Sequence, residues 1–263
     1  MLKKVLVFVV MLVGVDSAAA RAQSLSEIIP NLFGPGGLIV NSETTLPNGQ
    51  THSAHFNSSF QQSFTPFNTA LATQLASVPL PSPASGFTYT LDSSLGVFKR
   101  STQSFGPILS DRAETVGKHK ASVGFSFQHF SFDSLDGTDL GAVPVVFTHD
   151  NPAAGTGRDD LVTTSNDINI TLGQFTSFVN YGILDRLDVS LAIPVVTVDL
   201  TATSVATIQR IGTTNPATHF FGNGHGDYGT TASVTGSGSK TGIGDIIFRL
   251  KGTVYKQGGT GLA

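Results

Sequence analysis

From Lys118 onward, apolar and polar residues alternate with a period of two, as in strands that show one greasy face and one polar face. The clearest stretch is Phe175 to Asp199. On its downstream arm Leu187, Val189, Leu191, Ile193 and Val195 point one way, and Asp188, Ser190, Ala192 and Pro194 point the other. The upstream arm places Phe175, Ser177, Val179 and Tyr181 in one phase. Gly182 to Arg186 join the arms, a linker whose composition suits a tight hairpin. Earlier, Ala121, Val123, Phe125 and Phe127 alternate with Ser122, Gly124, Ser126 and Gln128. Phe130 and Phe132 fall in the opposite phase, which predicts a bulge near His129. A second strand is expected from about Leu161 to Tyr181, with its parity flipping near Gly173. The third runs from Leu187 to about Thr203. A fourth, Ile243 to Tyr255, sets Ile246, Phe248, Leu250 and Val254 on one side and Asp245, Arg249 and Lys251 on the other.

Such strands exceed the ~5–6 residues usual in soluble sheets and match the ~9–11 that cross a bilayer at a tilt. Their connections alternate in length. A polar segment from about Asp133 to Asp160 joins the first two, and a tight turn joins the next two. Ser204 to Thr241, rich in Gly, Thr, Ser and Asn, reads as a long loop before the fourth strand, and Lys256 to Gly259 is again a turn. Long loops outside and tight turns on the periplasmic side are the wiring of an outer-membrane barrel. The expected fold class is therefore all-β, a transmembrane antiparallel up-and-down β-barrel over residues 114–263. Closure takes at least about eight strands, so the expectation is an incomplete, C-terminally truncated barrel with a mixed N-terminal segment.

Residues 1–22 read as a signal peptide. Met1-Leu2-Lys3-Lys4 is basic, Val5 to Val15 is apolar, and Ala20-Arg21-Ala22 is a small-x-small cleavage site. Residues 23–113 read as a periplasmic or plug-like segment. Ser24-Leu25-Ser26-Glu27 opens a short helix that stops near Gly34. Thr65-Pro66 starts a second, carried by Phe67, Ala70, Leu71, Leu75 and Val78, and Pro79, Pro81 and Pro83 prevent its continuation. Gly86 to Leu91 and Val97 to Ser101 suit a small hairpin.

Composition narrows the function classes. Charged residues are only 13% of the chain, about half the share usual in soluble proteins, and the 29 glycines favour sheet connections over helix. With no cysteine there is no disulfide framework, thiolate nucleophile or zinc–thiolate site. The net charge of −3, without a basic stripe, argues against a nucleic-acid partner.

Two runs carry a family resemblance. Asn180-Tyr181-Gly182-Ile183-Leu184-Asp185-Arg186-Leu187-Asp188-Val189, followed by Ala192-Ile193-Pro194, resembles the YG-x-x-DRLDV…A-x-P run of outer-membrane proteins of the MetA-pathway of phenol degradation family. Thr241-Gly242-Ile243-Gly244-Asp245-Ile246-Ile247-Phe248-Arg249-Leu250-Lys251 is similar to the GxGD-hydrophobic-R-x-K strand of the same proteins. The resemblance covers about residues 105–262. It implies an outer-membrane barrel loosely akin to channels for long-chain fatty acids and aromatic hydrocarbons, and it supplies no catalytic residues.

Candidate chemistry is sparse. His52 and His55 lack the further ligands a metal needs. His149 with Asp159 and Asp160 could suggest an outer-membrane hydrolase, though acids in a polar loop are more often simply solvated, and His219, His225 and Asp227 could bind a cation but read first as loop residues. Gly222-Asn223-Gly224 and Gly236-Ser237-Gly238 lack the strand-to-helix context of a phosphate loop. No metal, cofactor or catalytic group is assigned. Asp188, Ser190, Asp245, Arg249 and Lys251 are the expected lumen-lining residues. The expected function is a passive or plug-gated bacterial outer-membrane channel, held in lipid and passing small, hydrophobic or aromatic solutes. The alternatives are a secreted all-β binding or adhesion module and an outer-membrane enzyme.

Overall fold

The computed structural model describes residues 25–34, 36–45, 49, 56–78, 89–92, 97–100, 115–149, 160–257 and 260–262. The expected signal peptide, His52, His55 and Asp159 lie outside the described residues.

Helix α1, Leu25–Ile28, passes into a 3-10 turn at Pro30–Leu32. Gly34 ends it at φ +99°, a left-handed angle that costs glycine little. Helix α2 spans Asn57–Ala76 and holds Pro66 in its interior, so it begins well before the expected Thr65-Pro66 start. The early half, rich in Ser and Gln, has no apolar stripe to announce it. Strands β1, Tyr89–Asp92, and β2, Val97–Arg100, pair as the expected hairpin.

The rest is antiparallel sheet. It comprises β3 (Ala121–Phe132), the small β4–β5 hairpin (Ser134–Leu135, Thr138–Asp139), β6 (Val143–Thr148), β7 (Leu161–Leu184) and β8 (Leu187–Gln209). A second small hairpin, β9–β10 (Phe221–Gly224, Asp227–Gly229), precedes β11 (Thr231–Ile243) and β12 (Ile247–Gly252). A terminal pair, β13–β14 (Tyr255–Gln257, Thr260–Leu262), follows. Strands β7 and β8, 24 and 23 residues long, pair from Leu161↔Gln209 down to Leu184↔Leu187 around Asp185-Arg186. Strand β3 covers the turn-end half of β7 and β6 the loop-end half, so together they act as one strand with an insertion at 133–142. Likewise β11 covers the loop-end part of β8 and β12 the turn-end part. The outcome is four long strands in sequence order, running up and down. The sheet is open: its two outer strands do not pair with each other among the described residues.

Three expectations are corrected. The segment Ser204–Thr241 is mostly strand, because β8 runs on to Gln209 and β11 fills 231–243, leaving 210–230 as the connection. The segment Asp133–Asp160 contains β6, which tolerates Pro144 because it is an edge strand paired only with β7. There is no bulge at His129, since the β3–β7 register is unbroken from Ala121↔Tyr181 to Phe132↔Ile170; the apolar parity does flip near Gly173, as expected, but within a regular backbone.

What changes there is the character of the two faces. The inner face carries the even-numbered residues of β7 and β8. Toward the loop end it buries Val162, Ile168, Ile170, Leu172, Leu200 and Ile208. The outer face at that level is mostly polar, with Thr163, Ser165, Asp167, Asn169 and Thr171 beside Thr201, Thr203 and Thr207, and with Val146 and Val205 exposed among them. Toward the turn end the arrangement inverts. Ser122, Gln174, Thr176 and Asp188 are buried inside, together with Phe178 and Ala192, while Phe125, Phe127, Phe175, Val179, Tyr181, Leu191, Phe248 and Leu250 stand exposed outside. The change falls on one row across the sheet. His129, Gly173, Thr197 and Thr241 lie on its polar side, and Phe127, Phe175, Val195 and Ile243 one step toward the turn on its apolar side.

The N-terminal segment covers the inner face at the loop end. Ile28, Ile29, Leu32, Phe33, Phe56 and Leu71 join Phe147, Ile170, Leu200 and Ala202 in the core. Each fully buried Ile, Leu or Phe contributes roughly 1.5–3 kcal/mol of transfer free energy. Helix α1 sits so close to β11 that a Cβ on Gly238 would lie 2.7 Å from Ile28 Cδ1. No helix among the described residues is long and apolar enough to cross a membrane.

Candidate functional site

The tight turn between β7 and β8 is braced by the segment that enters β3. The Val116 amide donates to Asp188 Oδ2 at 2.6 Å, and the Lys118 amide donates to Asp185 Oδ1 at 3.2 Å. The Thr115 hydroxyl donates to the Asp185 carbonyl at 2.6 Å. The His119 amide donates to the Gly182 carbonyl, and the Gly182 amide to the Lys120 carbonyl. Gly182 is fixed by this contact, because a Cβ there would meet the Gly117 carbonyl oxygen at 1.9 Å. The Gly182…Asp185…Asp188 spacing in the first motif is thus the spacing of a backbone clamp.

The second motif meets the first. Gly244 donates its amide to the Pro194 carbonyl at 2.9 Å. In an antiparallel ladder a residue's N–H and C=O point to the same neighbour, so Pro194 faces this strand with no hydrogen to give. The strand answers with an interruption at 244–246 between β11 and β12. Ile243 pairs with Val195, but Ile247 pairs with Ala192, so one extra residue is absorbed and the side-chain parity shifts.

That shift decides where the expected lumen-lining residues lie. Arg249 pairs with Ser190 and Lys251 with Asp188, which sets these four side by side on the inner face. Asn180 pairs with both Ser190 and Ser122 and donates to the Ser122 hydroxyl at 3.0 Å. Asp188 is buried rather than open to a lumen, and its Oδ2 is held by the clamp. Asp245 does not join the row: it is exposed in the interruption, where the period-two rule that grouped it with Arg249 no longer applies. Ile246 falls in the same interruption.

A cleft of about 470 Å³ opens between the helices and the inner face. Leu71 and Leu75 of α2 form one wall, and Ile170, Val198 and Leu200 of the sheet form the other. Its polar groups are Lys240, Ser26 and Asn68, the last donating to the Ser26 carbonyl at 2.7 Å. The volume lies within the ~300–1,000 Å³ usual for small-molecule sites, which are mainly apolar with a few placed polar groups. Local sequence marks Leu71 and Leu75 as one helix face but not the cleft, because Lys240 lies in a segment expected as loop and the packing of α2 on the sheet is not local information.

The loop end is tied down by carboxylates. Asp160 Oδ1 accepts from the amides of Ile211 and Gly212 at 2.9 and 2.8 Å, and Oδ2 is 2.6 Å from His219 Nδ1. Burial opposes the Asp160 charge, but His219 and the Gly212 and Ile211 amides outweigh it and hold the carboxyl below its usual range. Phe56 lies edge-on to both His149 and His219. Asp160 and His219 are both buried, and Asp160, candidate hydrolase chemistry with His149 and Asp159 in the sequence, has His219 as its side-chain partner and anchors the 211–212 loop. Glu43 performs a parallel task, accepting from the Tyr228 hydroxyl and the His225 amide. The Tyr228 bond first, then the His225 amide, lowers the Glu43 pKa, and the same contact raises that of Tyr228.

The suggested cation cluster does not assemble. His219 is buried beside Asp160, His225 is exposed at a hairpin tip, and Asp227 accepts from the Asn223 amide. No group of three His, Asp or Glu side chains able to hold a metal occurs among the described residues. Comparison of the chain with family models, curated proteins and solved structures finds no match.

Proposed function

We propose that this chain forms part of the wall, and the internal plug, of an outer-membrane β-barrel channel for small hydrophobic or aromatic molecules. The observation that carries the reading is the change of the sheet at its turn end, where several polar residues are buried beside Phe178 and an apolar band, broken at Ser177, is exposed. Water gives such a band no partner, whereas lipid does. On β7 the band covers about ten residues, Phe175 to Leu184, roughly 34 Å of chain at ~3.4 Å per residue. At a tilt of ~45° this spans roughly 24 Å, against the ~25 Å apolar belt of such barrels. Phe127 and Phe175 stand at its upper edge and Tyr181 near its lower, where aromatic girdles belong. The tight Asp185-Arg186 turn then faces the periplasm and the 210–230 connection the exterior.

The two motif runs support the same reading, since they adjoin in the sheet where the resembled family would need them to pair. Closing the barrel takes further strands, supplied by a longer chain or by neighbouring copies. The N-terminal segment, packed on the inner face, acts as the plug, and the cleft beside α2 gives a solute its apolar foothold. No catalysis is assigned. The open sheet favours one competing reading, a secreted all-β binding module. Cell fractionation separates the two. The channel is expected in detergent-extracted outer membrane, and recovery of the chain in the soluble periplasmic or extracellular pool overturns it.

A further inference from the structure

Charge is sorted across this sheet. The inward positions of β3, β7, β8, β11 and β12 hold Lys240, Arg249 and Lys251 but a single acid, Asp188, which the clamp at Val116 already engages. The outward positions hold Asp167 and Asp199, both above the apolar band. Strong bases thus look inward and acids outward. Lys240, opposite Val198 and exposed, is among the residues lining the cleft, whose lining contains no Asp or Glu. A slot of about 470 Å³ with leucine and isoleucine walls and one ammonium group fits a particular class of molecule. An apolar body fills the slot, and an anionic head pairs with the amine, an interaction strengthened where neighbouring surface is apolar.

We propose that the cleft between α2 and the sheet binds small amphiphilic monoanions, an aryl or alkyl body with one carboxylate, through Lys240. Arg249 and Lys251 lie further along the same inner face toward the turn, Lys251 opposite Asp188. The binding site stands on the cleft itself; its role in passage rests on the channel reading.

The test uses the full chain in outer-membrane vesicles, with vesicles lacking it as the blank. The probes are 4-phenylbutyrate and its neutral isostere 4-phenylbutyramide, followed by saturation-transfer NMR and equilibrium dialysis. The acid is expected to bind about tenfold more tightly than the amide, the range of one charge-assisted contact. Lys240→Gln is expected to remove that preference while leaving amide binding unchanged, and Lys240→Arg to keep it. Ala72→Trp, which places a bulky group at the cleft wall on an exposed helix position, should abolish binding of both probes. Equal binding of acid and amide, or an acid preference that survives Lys240→Gln, overturns the proposal, as does undiminished binding in Ala72→Trp. Vesicle swelling in the same preparations reports on passage separately. Tight, Lys240-dependent binding without solute entry sinks the channel reading and leaves the site standing.

Discussion

Val179 lies near the middle of the exposed apolar band, 43% exposed between Val123 on β3 and Leu191 on β8. Replacing it with Arg separates a lipid-facing surface from a water-facing one. On a bilayer-facing barrel position near the midplane, Arg costs about 2–4 kcal/mol, falling to about 0–1 near the interfaces. At about 1.4 kcal/mol per decade this is roughly 30- to 700-fold in the folding equilibrium. The control is Thr201→Arg, also outward on β8 but on the polar side of the Gly173–Thr197 row. Like other exposed polar sites it should change stability by no more than about 0.5 kcal/mol. The assay is denaturant titration of the chain folded into vesicles, comparing both variants with the parent. If the face meets water, Val179→Arg is as harmless as Thr201→Arg or improves solubility. Equal, small effects at the two positions refute the lipid assignment.

Further outcomes follow from the contacts. Gly182→Ala drives a Cβ into the Gly117 carbonyl and should destabilise the folded chain by about 1–3 kcal/mol, read by denaturant titration. Because its folded pKa is depressed, Asp160 contributes stability above the unfolded value of about 3.9 that is lost as pH falls through the folded value. Protection of the Ile211 and Gly212 amides, measured against the intrinsic exchange rate at each pH, should therefore fall below about pH 4, and Asp160→Asn should show no such acid-induced step. Gly238→Val pushes against Ile28 and should loosen α1, seen as faster proteolysis of the N-terminal segment with the β7–β8 hairpin intact.

The four long strands were legible because β-branched and aromatic residues at their turn ends alternate with small polar ones. The same rule failed where both faces are small. Thr231 to Ser239 sets hydroxyls outward and Ala232, Val234, Gly236 and Gly238 inward. The inward side is small because Ile28 and Leu32 fill the space, a partner that local periodicity cannot reveal. Phe130 and Phe132 misled for a related reason. They are inward residues in a regular strand, at the level where the interior turns from polar to apolar, and a bulge was the only local explanation for their phase. Of the expected lining residues, Asp188, Ser190, Arg249 and Lys251 do share one face of the sheet, as counting by two groups them. Asp245 was misplaced because the missing donor of Pro194, fifty residues earlier in the chain, resets the count.

The gap opposite Pro194 also constrains whatever comes to lie against the outer edge formed by β11 and β12. A newcomer strand finds its hydrogen-bonding template broken at 244–246. Sliding by two residues would keep its side chains on the correct faces but would bring regular backbone against the break. Only one alignment places its own irregularity, or a solvated stretch, at that height. A single proline in β8 thereby sets the stagger of a junction it never touches.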